Sequence, residues 1–388
     1  MCGMCLPHCP TYRLSRDEGE SPRGRIALIQ GLAKGQLPTT PRLEAHLDRC
    51  LGCRACEAIC PSGVPYGEII DGGRALLYDR HPTAPVPAWL NRLVLDRRYR
   101  RRAGPLLRLV QRSGLPALAR AVGLTGTASQ LEALPPLAPQ RTFAGRYPPQ
   151  DTARGAVGLF IGCVAEIADR TSLRAAISLL TRFGYAVHVP GNQGCCGGIH
   201  LHHGDAATAR RLAAANAAAF DALEIDTVIS TASGCGLTLA EYGRYGHPAL
   251  RTPVRDVSRF LAALPWPDDL RLEPLSRRVV VHEPCTLRGD KAAFRLLERI
   301  PGIDLRPLPD SGCCGAAGTY MLRQPAIANR LREDKIGALT ALGADVLVTS
   351  NLGCALHLRA GIREAGLHIE VMHPLALIER QLGVSSKP

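Results

Sequence analysis

The second half of the chain alternates short apolar runs with longer stretches in which apolar residues recur every three or four positions. Apolar runs at 157–161 and 186–190 flank a helical pattern over 172–183. A second helical pattern, 206–223, leads to a β-rich run at 227–230, and a helical segment at 257–264 closes the series. The series then recurs. Runs at 279–281, 303–308 and 346–350 interleave with helical patterns at 291–300, 327–342 and 375–382. Short apolar runs fit buried strands, whereas a 3.6-residue period over ten or more positions fits helices. Strands alternating with helices predict α/β units, each built on a largely parallel sheet.

The middle of the chain reads differently. Residues 89–124 carry an amphipathic helical pattern, expected to break near Pro105 and at Gly114-Leu115-Pro116. Residues 134–150 hold five prolines with Arg141 and Arg146, which predicts an extended linker. No apolar run approaches the ~18 residues of a membrane span, so an integral membrane protein is excluded. The opening MCGMCLPHCP lacks the basic and then apolar segments of a secretory leader.

Composition changes this picture at one residue type. The 388 residues include 15 cysteines, and they fall in tight groups. Disulfide scaffolds are short, secreted and evenly cysteine-dense, which this chain is not. Structural zinc favours pairs of Cys-x2-Cys. The groups here run to three and four cysteines followed by proline, which is the iron–sulfur pattern. Cys50, Cys53, Cys56 and Cys60, with Pro61, form C-x2-C-x2-C-x3-C-P. Three cysteines on one tight loop wrap three irons of a cube, and the fourth reaches the other cube of a two-cluster ferredoxin. Cys2, Cys5 and Cys9, with Pro10, form the same motif without its first cysteine. By the two-cluster rule, Cys9 joins Cys50, Cys53 and Cys56 on one cube. Cys2, Cys5 and Cys60 take the other, which lacks a fourth ligand. Either the true start lies upstream of Met1, with the missing cysteine three residues before Cys2, or this cube is three-iron, or another group completes it; we expect the first.

The other eight cysteines form two matching sets. Cys163, Cys195-Cys196-Gly197 and Gly234-Cys235 are followed by Cys285, Cys313-Cys314-Gly315 and Gly353-Cys354. Corresponding cysteines are displaced by 122, 118, 118 and 119 residues, which marks an internal repeat. Each sits at a strand end or adjoining loop, where α/β sheets place ligands. Adjacent side chains converge poorly on one mononuclear metal but both reach a multinuclear one. The flanking glycines permit positive φ and let backbone amides donate to sulfur. His200, His202 and His203 follow the first Cys-Cys-Gly and are expected to form an exposed loop cluster. His282 and His357 lie near Cys285 and Cys354 in sequence, as outer donors or bystanders.

Net charge is +13, from 47 basic and 34 acidic residues, and all but four of the basic residues are Arg. Such a balance suits nucleic acid or an anionic surface. The Arg residues are dispersed, apart from Arg97, Arg98, Arg100, Arg101 and Arg102, and no nucleic-acid-binding motif accompanies them. A four-iron cube on four thiolates carries about −2 when oxidised, so several clusters would offset the excess. Nucleic acid is therefore not expected. The Arg run is read first as a solvated helix face, then as a docking patch for an acidic partner or membrane surface. No dinucleotide-binding G-x-G-x-x-G, phosphate-binding loop or G-x-S-x-G is present.

The cysteine sets and their surroundings resemble the cysteine-rich (CCG) domains of heterodisulfide reductase-type proteins. Two ferredoxin motifs followed by two such domains are similar to the glycolate oxidase iron–sulfur subunit family. The match is carried by Pro10-Thr11-Tyr12, Ser21-Pro22-Arg23-Gly24-Arg25, His46-Leu47-Asp48-Arg49-Cys50-Leu51 and Cys60-Pro61-Ser62-Gly63-Val64. Further on it is carried by Thr231-Ala232-Ser233-Gly234-Cys235-Gly236, Glu241-Tyr242-Gly243, Cys285-Thr286-Leu287, the segment 310–320 and Asn351-Leu352-Gly353-Cys354. In the reductases the last element is Cys-x-x-Cys. Ala232 and Asn351 stand at its first position here, which departs from a five-thiolate site.

The resemblance implies a multidomain α+β architecture. A ferredoxin-like helical domain (1–75) precedes a helical, Arg- and Pro-rich linker (76–155) and two α/β CCG units (156–266 and 277–385). It implies two [4Fe-4S] clusters, and one further iron–sulfur cluster or zinc per repeat. It implies an electron-transfer subunit in the reducing cytosol, peripheral to the inner face of the membrane, that is inactive alone. The flavin and the catalytic residues belong to partner FAD-containing 2-hydroxy-acid oxidase subunits, with glycolate the expected substrate. The acceptor is neither NAD nor oxygen, and a membrane quinone is expected. Lactate, anaerobic glycerol-3-phosphate or heterodisulfide-type complexes are the alternatives. A zinc-binding assembly scaffold is the alternative of another class.

Overall fold

The computed structural model describes residues 2–84, 86–113, 115, 142–309 and 312–383. The N-terminal region is helical: Pro10–Ser15, Pro22–Ala33, Pro41–Asp48 and Tyr66–Arg80. Proline opens the first three of these helices, where its missing N–H costs nothing. Ser21 and Thr40 cap two of them, accepting from the amides of Gly24 at 2.9 Å and Leu43 at 3.2 Å. Leu32, Leu43, Leu47 and Ile70 fill a small core that Cys50 and Cys56 complete.

Two sheets follow. The first contains β1 (Gly145–Tyr147), β2 (Gly155–Phe160), β3 (Tyr185–Val189), β4 (Thr227–Ser230) and β5 (Val254–Asp256), in the order β1-β3-β2-β4-β5. All its pairs are parallel except β1 with β3. The second contains β6 (Arg278–His282), β7 (Asp304–Pro307), β8 (Val346–Thr349) and β9 (Glu370–Met372), in the all-parallel order β7-β6-β8-β9. The strand runs and helical patterns of the sequence thus land on strands and helices of two like units. The fourth parallel strand of each unit carries too few apolar residues to stand out in the sequence. The helices Ser233–Ala240 and Leu352–Glu364 were also not anticipated, because glycines near their starts mask the period.

The two units share one core. Helix Arg170–Arg182 of the first packs on Pro374–Arg380 of the second, and Val257–Ala262 packs reciprocally on Ala292–Leu297. Leu173, Leu179, Val279, Leu296 and Leu377 are among the side chains sealed between them. Each fully buried Leu contributes about 1.5–3 kcal/mol, so the seam is a major source of stability.

Three expectations for the middle segment are corrected. The helical stretch breaks at Asp96 rather than at Pro105. Ala88–Leu95 ends there, and Arg97–Arg112 starts anew with Asp96 accepting from the Arg98 and Tyr99 amides and runs through Pro105. The second expected break, at Gly114-Leu115-Pro116, lies largely outside the described residues. Residues 145–147 of the expected linker are the edge strand β1, because Tyr147 and its neighbours pair with β3. The Arg run is split: Arg98, Arg101 and Arg102 face solvent, but Arg100 is buried. Arg100 donates to Glu166 and to the carbonyls of Leu93 and Val94, and Arg97 also reaches Glu166. One face of the run therefore fastens the helix to the first α/β unit. Among the described residues no helix is long and apolar enough to cross a membrane.

Candidate metal centres

The loop that carries Cys50, Cys53 and Cys56 turns through two positive φ angles, Gly52 at +62° and Arg54 at +55°. This curl brings the three cysteines around one cavity, and Cys9 closes it from the first helix. Arg25 and Tyr66 line the same cavity. The Gly52 amide lies 3.5 Å from Cys50 Sγ, and the Tyr66 hydroxyl lies 3.6 Å from the same sulfur. Burial pushes the Cys56 thiol up, and Cys50, Cys9 and Cys5 add to the shift. Burial likewise raises Cys5, which lies among Cys9, Cys2 and Cys60. Cys9, Cys50, Cys53 and Cys56 thus line one cavity.

A buried ion network supports the first cavity. Arg25, 1% exposed, donates to Thr11 Oγ1 at 3.0 Å, to the His46 carbonyl at 2.7 Å and to Glu20 Oε2 at 2.5 Å. Glu20 also pairs with His46 Nδ1 at 2.8 Å and Arg49 at 3.1 Å. A buried carboxylate with three cationic or donating partners is held in one geometry, and so is the guanidinium beside the cavity. No functional role was read for Glu20 and Arg25 from the sequence. Charged residues in short helices look solvent-exposed until their burial is known.

In the first repeat, Cys163 follows β2, Cys195 and Cys196 follow β3, and Cys235 sits in the helix after β4. These are the C-terminal ends of parallel strands on either side of the central one, where such sheets leave a crevice. Cys163 Sγ lies 3.6 Å from Cys195 Sγ. The Cys-Cys-Gly turn needs Gly197 at φ +85°, and the Gly197 and Gly198 amides point at Cys195 and Cys196 sulfurs, at 3.4 and 3.5 Å. Asn216, fully buried, braces the turn. It donates to the Cys195 carbonyl at 2.8 Å and accepts from the Gly194 amide at 2.9 Å. Tyr242 donates to the Cys196 carbonyl at 2.8 Å. Asn216 was also missed in the sequence, where it reads as one polar residue on an alanine-rich helix.

The second repeat reproduces this arrangement. Cys285 follows β6, Cys313 and Cys314 follow β7, and Cys354 lies in the first turn after β8. Cys314 Sγ lies 2.9 Å from Cys354 Sγ, and the Gly315 amide points at Cys313 Sγ at 3.5 Å. A hydrogen bond with Cys313, followed by burial, pushes the Cys285 thiol well up. His282 lies against this set: one of its ring nitrogens, Cys314 Sγ and Cys354 Sγ are all within 4.8 Å of one another. The sequence left His282 as an outer donor or bystander. His357, in contrast, donates from Nε2 to the Ala328 carbonyl at 3.1 Å. A cleft of about 480 Å³ opens beside Cys285 and His282, with Lys335, Arg288 and Asp256 on its walls.

The centres adjoin one another. Cys53 of the N-terminal set and Cys285 of the second repeat, both half-buried, pack against the cluster that contains Cys313. Burial pushes the Cys53 thiol well up, with Cys285 the leading charge that adds to it. Tyr320 donates to the Arg49 carbonyl at 3.0 Å, and Arg323 pairs with Asp48 at 2.6 Å, which locks this contact. The repeats meet near their last cysteines, Cys235 and Cys354. There Ser233 bonds Thr286 at 2.7 Å and the Ser350 carbonyl at 3.0 Å, and accepts from Asn351 at 3.1 Å. The expected exposed histidine cluster is corrected at His200, whereas His202 is exposed and His203 half-buried. His200 is buried against Asn91 at 3.1 Å, His202 reaches Asp71 at 3.0 Å, and His203 reaches Thr83 at 3.0 Å and Arg323 at 2.7 Å. These rings fasten the first repeat to its neighbours.

Buried thiols gathered at strand ends, with amide donors aimed at sulfur, suit soft metals held as iron–sulfur clusters or zinc. The donor sets fit such groups. Comparison with known proteins agrees in outline. Residues 1–64 match the 4Fe-4S dicluster domain, and 157–240 and 279–359 each match the cysteine-rich domain. The chain is 32% identical to the probable glycolate oxidase iron–sulfur subunit of Bacillus subtilis, over 94% of this chain and 89% of that protein. It is 33% identical to the glycolate oxidase iron–sulfur subunit of Escherichia coli, over 98% and 93%. It is 29% identical to lactate utilization protein A of Shouchella clausii, over 56% of this chain and 95% of that one.

Proposed function

We propose, from the premise that this chain belongs to the glycolate oxidase iron–sulfur subunit family, that it is the electron-carrying subunit of a flavin-dependent 2-hydroxy-acid dehydrogenase, with glycolate as substrate. The observation that carries this reading is the packing of Cys53 and Cys285 against one cluster that contains Cys313, which brings the N-terminal Cys50–Cys56 loop next to the cysteines of the second repeat. Iron–sulfur clusters, when bound, accept and release single electrons and so divide the pair that a flavin collects. The residues of this chain would hold and tune them. Cys9, Cys50, Cys53 and Cys56 would hold one four-iron cluster, and Cys2, Cys5 and Cys60 would take part in a second. Cys163, Cys195, Cys196 and Cys235 would hold a third centre, and Cys285, Cys313, Cys314 and Cys354 a fourth.

Burial excludes water from the thiols. Amides of Gly52, Gly197, Gly198 and Gly315 donate towards sulfur, which favours the reduced state. Arg25 adds a fixed positive charge beside the first cavity, with the same effect. The cleft beside Cys285 gives the fourth centre an approach for a small acceptor such as a quinone. The solvent-facing Arg98, Arg101 and Arg102, with the exposed Leu106 and Leu109 on the same helix, suit docking on an acidic partner or membrane surface.

The test is metal analysis of the full chain purified anaerobically with its flavoprotein partner, followed by addition of glycolate. About 16 irons with matching acid-labile sulfide, and electron paramagnetic resonance signals that grow with glycolate, support the reading. About eight irons with zinc at the repeats would confine redox to the N-terminal region and make the repeats a scaffold. Signals that answer lactate and not glycolate would move the chain to a lactate-oxidising complex, which the likeness to lactate utilization protein A favours as the second reading.

A further inference from the structure

The two repeats differ at their centres, and sheet register shows where. Val157 on β2 pairs with Thr227, and Val279 on β6 pairs with Val346, so the two sheets can be set residue against residue. Phe160 then corresponds to His282, and Ser230 to Thr349. In the first repeat Phe160 packs on Phe220, with ring centroids 6.3 Å apart, and offers no donor atom. In the second, His282 is 3% exposed and its Nδ1 lies 2.9 Å from Thr349 Oγ1. The position of Asn216 is likewise taken by Lys335, buried at 2% exposure. Two apolar or neutral positions around the first set have become basic side chains around the second.

We propose that His282 is a metal ligand of the second repeat, so that this centre has a nitrogen donor and the first repeat's centre has sulfur alone. The proposal rests on the reading that the repeat cysteines bind metal. Its geometric basis is the meeting of a His282 ring nitrogen with Cys314 and Cys354 sulfurs within 4.8 Å, all three residues buried. The Thr349 hydroxyl fixes the rotation of the ring, as outer-shell partners of ligating histidines do. The second repeat then offers five donors, from Cys285, Cys313, Cys314, Cys354 and His282, against four in the first. Five donors exceed the four that a cube or a tetrahedral zinc takes, so His282 would stand in for one thiolate; imidazole is neutral where thiolate is charged, and that replacement raises a cluster's potential relative to an all-sulfur site. The second centre would lie at the oxidising end of the path, beside the cleft.

The test uses the full chain with its partner subunits, labelled selectively with 15N-histidine. Pulsed electron paramagnetic resonance of the reduced protein should show one directly bonded histidine nitrogen. His282→Ala and His282→Cys should lose that coupling, and His357→Ala should keep it. If the second repeat carries zinc, zinc-edge X-ray absorption should show a nitrogen scatterer that His282→Cys replaces with sulfur. Thr349→Val should broaden the coupling by freeing the ring. A coupling absent from the wild type, or unchanged in both His282 variants, overturns the proposal while leaving the electron-transfer reading intact. An all-sulfur zinc shell also overturns it. About eight irons with matching sulfide and no metal at either repeat would overturn the repeat-centre reading itself.

Discussion

At the scale of single residues, burial decides what each polar group does. His373 stands at the start of the last helix, its Nδ1 accepting from the Leu375 amide at 3.1 Å, and burial lowers its pKa to about 4. In the unfolded chain it takes a proton near pH 6.5. Its neutral folded form therefore adds stability above about pH 6.5 that is lost as pH falls towards about 4, by up to about 3 kcal/mol. His373→Asn keeps a capping acceptor and removes that proton uptake. Urea titrations from pH 7 to pH 4.5 should show the variant losing less stability than the wild type, and equal slopes would contradict this account. Cys9 makes a second residue-scale prediction. Cys9→Ser should cost about four irons by removing the centre it shares with Cys50, Cys53 and Cys56. Iron and sulfide analysis would detect it, and unchanged iron content would place Cys9 elsewhere.

Elements show why the same motif tolerates different changes in the two repeats. Gly197 and Gly315 both adopt positive φ, at +85° and +90°. A Cβ on Gly315 would lie 2.5 Å from the Ala328 carbonyl oxygen, whereas one on Gly197 would lie 3.4 Å from Ala209. Gly315→Ala should therefore cost about 2–4 kcal/mol and Gly197→Ala about 1–2 kcal/mol. Chemical denaturation of the two variants would rank them, and the reverse order would mean that the helix carrying Ala328 shifts freely. The Cys-Cys-Gly turns were legible in the sequence because repetition at matched spacing is hard to mistake. The break at Asp96 was not. The Asp96 side chain satisfies two orphan amides and restarts the helix, while Pro105 falls about two and a half turns further in, inside the helix.

The whole molecule is held by contacts between regions far apart in the chain. Arg54 beside Cys53 bonds both Glu57 and Glu241, the latter at 2.7 and 2.8 Å, and Arg244 ties Glu241 back to Glu68. Glu241→Ala should leave Arg54 its local partner and loosen the docking of the N-terminal region by about 1–2 kcal/mol. Hydrogen exchange should quicken across 54–68 and stay unchanged in β2 and β4; uniform change would mean global destabilisation instead. At this scale the division between sequence and structure is clear. Local order along the chain determined the cysteine motifs, the duplication and the alternation of strand and helix, since each is written within a few tens of residues. Only tertiary structure decided that Cys53 meets Cys285, that His200 is buried, that Arg25 faces the first cavity and that His282 joins Cys314 and Cys354. Those meetings depend on how helices and sheets pack, and packing is a property of surfaces assembled from distant segments, which no spacing in the sequence records.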